Sequence, residues 1–312
     1  MAAVERAPGP DLVLQTLDEC QRSYATHRKC TLKLKKAYAA RPAELRAGVV
    51  DAVERALLVF KREPAVERLL NFVAKLASFS NDQYQSDSEL AVDLLKYLIP
   101  LTRAKDKAAR FRACQLSAKL LTSLGEDAEV DDDFFEDLLA AMLLRMRDKV
   151  PVVRVHAISA IQRLQDPTNP EDPVLSEYLR LMANDASKDV RKAVAANIGF
   201  TSVTLPAVLA RARDVSDDVR KYVYNVVQIR LDMKQLQVKQ RIDFSDNGLQ
   251  DRSEAVRAAC VKMLCGKWLK ESCEGSPITF LKNMDVHTCP EEAERALRAI
   301  LSGAGGDALK SP

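Results

Sequence analysis

The sequence predicts an all-α protein, a solenoid of stacked antiparallel helix pairs. Three observations lead there. The pattern Asp-x4-Val-Arg occurs four times, starting at Asp148, Asp185, Asp214 and Asp251, at intervals of 37, 29 and 37 residues. Each copy opens an amphipathic helix and is preceded by a second helical segment. No stretch sustains the apolar–polar alternation of a half-buried strand, so essentially no sheet is expected.

The first copy shows how a unit is built. In "RDKVPVVRVHAISAIQRLQDP", Pro151 fits the first turn of a helix, where its missing N–H has no partner to lose. Val153, Ala157, Ala160, Ile161 and Leu164 then fall three and four residues apart and make one apolar stripe, and Asp166-Pro167 ends it. The segments "DDFFEDLLAAMLLRMR", "PVLSEYLRLMAN" and "TLPAVLARAR" supply the preceding helices. One such pair cannot bury both apolar faces, whereas stacked neighbours can. Upstream, "PAELRAGVVDAVERALLVFKREP" with "AVERLLNFVAKLASF", and "SELAVDLLKYLIPLTRA" with "DKAARFRACQLSAKLLTSL", read as weaker pairs. In the latter, Asp106 ahead of Arg110 is a degenerate copy of the turn. "FSNDQYQSDS" reads as a polar loop, and the acidic "GEDAEVDDDFF" as a turn capping the next helix. We expect a disordered start over 1–10, a solenoid over 11–302 and a flexible tail over 303–312.

Composition narrows the function. The 312 residues carry 47 Lys and Arg against 44 Asp and Glu, a net charge of +3. Any polyanion contact must therefore come from clustering. No apolar run is long enough to span a bilayer. The opening "MAAVERAPGP" has no apolar core of a secretory leader, so the seven cysteines read as reduced thiols inside the cell. No phosphate-binding G-x4-G-K-[ST] loop, G-x-S-x-G elbow or H-E-x-x-H pair is present, so no catalytic, cofactor or metal residue is assigned. His27 with Cys30, and His287 with Cys289, lack further ligands at zinc spacing. His156 and Trp268 read as packed residues, and Ser276-Pro277 and Ser311-Pro312 as common dipeptides of little weight.

The repeat arginines, Arg154, Arg220 and Arg257 among them, have one aspartate each at fixed spacing. We read them as ties between neighbouring repeats rather than as ligands. The cations without a partner in the pattern are Lys61, Arg62, Lys105, Lys107, Arg110, Arg112, Lys149, Lys188, Lys192 and Lys221. Many fall in turns at equivalent places and are expected to share an edge. The residues alone leave open whether that edge follows a phosphate backbone or is ordinary solvated charge.

The landmarks "FKREPAVERLLNFVAKL", "ARFRACQLSAKLL", "VDDDFFEDLLAAMLLRMRDKVPVVRVHAISAIQRLQDP", "VRKAVAANI", "TLPAVLARARDVSDDVRKYVY" and "LQDRSEAVRAACVKMLCGKWL" come in that order. The unit resembles the HEAT repeat. The series, over roughly 10–300, resembles the N-terminal part of the condensin complex subunit 3 family, the CAP-G type of HEAT subunit. The resemblance implies a non-catalytic arm without cofactors, acting in the nucleus and on chromosomes during mitotic condensation. It also implies a kleisin partner of the CAP-H type, indirect association with the SMC ATPase subunits, and double-stranded DNA gripped in a basic groove. Membranes and small-molecule substrates have no part in it. Chains of that type continue with many more repeats, so this one is expected to supply a DNA-binding half-arm. A protein-only HEAT scaffold is the competing reading, marked by scattered lysines beside an exposed apolar groove.

Overall fold

The valine of each Asp-x4-Val-Arg copy (Val153, Val190, Val219 and Val256) is fully buried, and the helices assemble around such positions. The computed structural model describes residues 10–40, 42–77, 88–124 and 132–303. Among these there are helices and turns and no strand. The chain divides into an N-terminal unit ending at Leu164 and a C-terminal unit beginning at Gln165.

The N-terminal unit contains α1 (Pro10–Arg22), α2 (His27–Ala40), α3 (Pro42–Leu57), α4 (Pro64–Ala77), α5 (Ser88–Leu101), α6 (Lys107–Ser123), α7 (Asp132–Arg145) and α8 (Pro151–Ala160). Helices α3 and α4, α5 and α6, and α7 and α8 form the pairs read from the sequence. The second helices lie in a row, α4 against α6 and α6 against α8. The middle one is enclosed: from Ala108 to Ala118 every residue of α6 except Arg110 is buried. Helix α8 stops at Ala160, before the expected Asp166-Pro167, and 161–163 continue as a turn that still buries Ile161. The polar segment 79–88 and the acidic turn 125–135 lie largely outside the described residues, but Asp132 and Asp133 stand in the first turn of α7, where they favour the helix dipole.

The C-terminal unit contains α9 (Pro173–Asn184), α10 (Lys188–Asn197), α11 (Leu205–Ala210), α12 (Asp217–Arg230), α13 (Val238–Leu249), α14 (Glu254–Met263), α15 (Pro277–Asn283) and α16 (Pro290–Gly303). Helix α14 runs on into a π-helical segment, Leu264–Ser272, which carries the fully buried Trp268. The second helices again form a row, α10 on α12 on α14.

Gly248 marks the closest approach in this unit. A Cβ there would lie 2.6 Å from both Cys260 Sγ and Tyr224 Cζ, and Tyr224 is anchored by its hydroxyl donating to the Phe244 carbonyl at 2.9 Å. Neither neighbour has room to retreat. Gly248→Ala is expected to cost about 1–3 kcal/mol of stability, read as an earlier urea midpoint at unchanged slope.

Candidate functional site

The aspartates and arginines of the repeat form a ladder. In the C-terminal unit Arg191 grips Asp214 of the next turn with Nε at 2.8 Å and Nη2 at 2.7 Å, while its Nη1 donates to the carbonyl of its own Asp185 at 2.6 Å. Arg220 repeats the arrangement on Asp251 (2.6 and 2.9 Å) and on the Asp214 carbonyl (2.8 Å). Arg257 donates to the Asp251 carbonyl at 2.6 Å. Each carboxylate also caps the helix ahead, Asp214 accepting from the Ser216 amide and Asp251 from the Ser253 amide. The reading of the repeat arginines as ties between repeats matches the geometry of Arg220, as it does that of Arg191, whereas Arg257 stays within its own turn.

In the N-terminal unit Arg110 makes the same contacts. It holds Asp148 with Nε at 2.8 Å and Nη2 at 3.3 Å, and donates to the Ala104 carbonyl at 2.9 Å. Ala104 thus stands where other repeats have the aspartate, and Asp106 instead caps the amides of Ala108 and Ala109. One step earlier the polarity is exchanged. The fourth residue of α4 is Glu67, where later second helices have arginine. Its carboxylate takes Arg112 at 2.6 Å and Gln115 at 3.0 Å. Arg112 is 0% exposed and also donates to the carbonyls of Val59 and Lys61, closing the α3–α4 turn.

Two of the ten candidate cations are therefore corrected. Arg110 and Arg112 are internal, because their donors are consumed by carboxylates and carbonyls of the fold. Lys188 and Lys192 are not free cations either. Lys188 pairs with Asp218 and Lys192 with Asp189 at 2.9 Å, since the acidic first turns that start these helices also attract neighbouring lysines. Lys221 is exposed, with Asp218 within electrostatic reach.

The remaining candidates gather in the N-terminal unit. Lys61 and Arg62 are exposed on the α3–α4 turn, Lys105 and Lys107 at the α5–α6 turn, and Lys149 at the α7–α8 turn. The first two turns touch: Lys107 Nζ sits 4.8 Å above the Phe60 ring, and Phe60 is edge-on to Phe111 at 5.7 Å. The second and third are tied by Arg110 and Asp148. Arg103, absent from the sequence-based set, is exposed on the same edge. Among the described residues none of these six cations pairs with a carboxylate. The equivalent turns of the C-terminal unit carry Asp185, Asp189, Asp217, Asp218 and Glu254 beside Lys188, Lys192, Lys221 and Arg252, so their charge is mixed.

His27 and Cys30 are both taken up in the packing of the N-terminal unit. His27 Nε2 meets the Cys20 carbonyl at 3.1 Å and the ring packs on Phe72, while Cys30 is buried. His156 lies against Phe111, ring centroids 5.4 Å apart. No helix among the described residues is long and apolar enough to cross a membrane.

No protein-family model matches the chain. Condensin complex subunit 3 of Xenopus laevis is 36% identical over 299 residues, which is 93% of this chain and 29% of the relative. Condensin complex subunit 3 of Homo sapiens is 39% identical over 252 residues, 79% of this chain and 25% of the relative. The chain thus spans less than a third of the length of these two relatives. A crystal structure of the S. pombe condensin Cnd3–Cnd2 subcomplex matches 94% of this chain and 37% of that one, at 30% identity and a TM-score of 0.85. Kap121p bound to Nup53p, at 12% identity and a TM-score of 0.54, shares the fold alone. The Asp–Arg ladder of stacked helix pairs and these matches agree, and the chain belongs to the condensin complex subunit 3 family.

Proposed function

We propose that this chain is a non-catalytic HEAT-repeat portion of condensin that binds the kleisin subunit and holds double-stranded DNA without reading its sequence. The kleisin reading draws on the likeness to the Cnd3–Cnd2 subcomplex. The DNA reading is carried by one observation: Lys61, Arg62, Arg103, Lys105, Lys107 and Lys149, exposed and without carboxylate partners, share three successive turns of the N-terminal unit. A row of lysines and arginines with no flat acceptor-reading array suits phosphates, not base edges. In this reading the DNA lies on the N-terminal unit, because Lys188 and Lys192, on the equivalent turns of the C-terminal unit, are paired with aspartates. The work is done in the nucleus and on mitotic chromosomes, and ATP hydrolysis belongs to the SMC partners.

The test is a fluorescence-anisotropy titration of short random duplexes at several salt concentrations. Binding is expected to weaken with salt at about 0.9 log units per neutralised phosphate, for a total slope of roughly 3–5. Lys61→Glu with Arg62→Glu should lower affinity at least about tenfold and flatten that slope. Lys188→Glu should leave it nearly unchanged. Salt-insensitive binding, or no binding at low salt, overturns the DNA reading.

A further inference from the structure

The row of second helices in the N-terminal unit contains a positive charge that makes no ion pair among the described residues. Along the enclosed stretch of α6 the side chains face neighbouring helices, and Lys119 is the first beyond Ala118 to regain partial exposure. Its ammonium donates to a neutral acceptor, Asn71 Oδ1, at 2.6 Å, and the Asn71 amide donates in turn to the Tyr24 hydroxyl at 3.0 Å. Among the described residues the carboxylate that acts on it is Glu67, whose hydrogen bonds are already committed to Arg112 and Gln115. Burial, with Arg112 adding to it, lowers the pKa of Lys119, so the charged form is held at a cost.

Next to it on α8, His156 Nε2 is buried without a hydrogen-bond partner. The charged groups acting on this imidazole are Lys119 and Arg112 of α6, Arg62 ahead of α4, and Glu67 of α4. On α7, Arg145 is taken up by Asp148. Burial and the three cations push His156 down to about 4, so it is neutral at physiological pH. Arg62 makes no ion pair. One glutamate against Arg62, Arg112 and Lys119 leaves the cluster with excess positive charge.

We infer that Lys119, beside His156, is a receptor for a carboxylate side chain of a peptide lying along α4, α6 and α8. The occupant is an acidic stretch of the kleisin subunit, and the inference rests on the kleisin reading above. Charge complementarity selects an anion. Depth selects a peptide over a duplex: Lys119 lies twelve residues into α6, about 18 Å along the helix from the turn that carries the exposed lysines. A duplex resting on that edge does not reach it, whereas a Glu or Asp side chain entering between the helices does. The carboxylate completes what the fold leaves open, an anion for Lys119 and a reason for His156 to accept a proton.

The test uses acidic peptides tiled from the kleisin subunit, with matched peptides in which Asp and Glu are changed to Asn and Gln. Binding to the full chain is measured for the unsubstituted protein and for Lys119→Met, which keeps the side-chain length and packing. Carbon-13 histidine NMR follows protonation in parallel; the chain has three histidines, and His156→Gln assigns the relevant signal. One acidic peptide should bind, lose about tenfold in affinity with Lys119→Met or with its own carboxylates neutralised, and raise the His156 pKa by about one or more. A peptide that binds equally well to Lys119→Met and leaves His156 unmoved overturns this site while the kleisin reading stands. No binding by any tiled peptide overturns both. A duplex that shifts His156 where peptides do not gives the site to DNA and also overturns the proposal.

Discussion

Asp214→Ala lowers the unfolding free energy of the C-terminal unit by roughly 3–5 kcal/mol, one of the two largest effects expected of a single substitution in this chain. The carboxylate is nearly inaccessible, its side chain 1% exposed, and three groups depend on it: Arg191, the Ser216 amide and Arg211, 3.5 Å away. Arg191, with a side chain 7% exposed, loses both of its charge-assisted bonds and stays buried, and the Ser216 amide loses its cap. An exposed pair of the same type would matter little. Here the cost arises from leaving the guanidinium without its counter-charge in a place water does not reach. Urea denaturation of the full chain measures it, read on a probe in the C-terminal unit such as Trp268 fluorescence, the only tryptophan. Loss of less than about 1 kcal/mol would mean that the ladder is ornamental to stability.

The same carboxylates set the acid limit. For Asp214, burial alone would raise the pKa, but the Arg191 hydrogen bonds, the Ser216 amide and the charge of Arg191 outweigh it, and the group lies below its ordinary 3.8. For Asp251 the Arg220 hydrogen bond is the leading cause of the same lowering. A depressed folded pKa means that the unfolded chain takes up protons first as pH falls. The ladder therefore contributes in full above about 4 and is lost as pH drops through the folded values. Stability should already decline as pH falls from about 6.5 toward 4, because the unfolded chain protonates His156 before the folded one does, and fall more steeply below 4 as the ladder carboxylates protonate, with a shallower fall there in Asp214→Ala, which has one fewer such proton to bind.

The ladder was legible in the sequence because each of its parts recurs at fixed spacing. Val153, Val190, Val219 and Val256 mark the core, and Arg191 and Arg220 are tied to the aspartate one repeat on. Repetition carries that information without any knowledge of the neighbouring surface. The cation set was less legible, for two physical reasons. Arg110 and Arg112 lie in α6, which is buried on nearly every side, so a charge in its sequence signals an internal partner rather than a surface. The aspartate that would have announced this is replaced by Ala104, and Glu67 stands where the pattern has arginine. Lys188 was read as free because its partner Asp218 lies 30 residues away, on the next second helix. Lys119 was passed over because it falls mid-helix, outside any turn. Its place became visible only when α4, α6 and α8 were seen side by side.

Arg112→Met should cost the N-terminal unit a similar 3–5 kcal/mol and reach beyond stability. Arg112 answers four acceptors: Glu67, the Gln115 side chain, and the carbonyls of Val59 and Lys61. Methionine fills much of the volume but donates to none of them. Glu67 keeps the hydrogen bonds from Gln115, with Lys119 acting on it only at a distance. Burial would raise its pKa, and the Gln115 and Arg112 hydrogen bonds now keep it below its ordinary value, so loss of Arg112 moves it up. Glu67→Gln in the same chain removes the stranded charge, and the double variant should recover a measurable part of the loss, the non-additivity that identifies a coupled pair. Neither carbonyl regains its guanidinium bond: Lys61 keeps only the Glu63 amide, at 2.9 Å, and Val59 loses its Arg112 donor. Both carbonyls belong to the turn that presents Lys61 and Arg62, and with the clamp gone that turn pays ordering entropy to hold its cations against a phosphate backbone. DNA affinity of the double variant should accordingly stay several-fold below that of the unsubstituted chain, with the salt slope unchanged since no phosphate contact is removed. Full affinity in a folded double variant would show that the turn is held by its own sequence, and that the buried arginine serves the core alone.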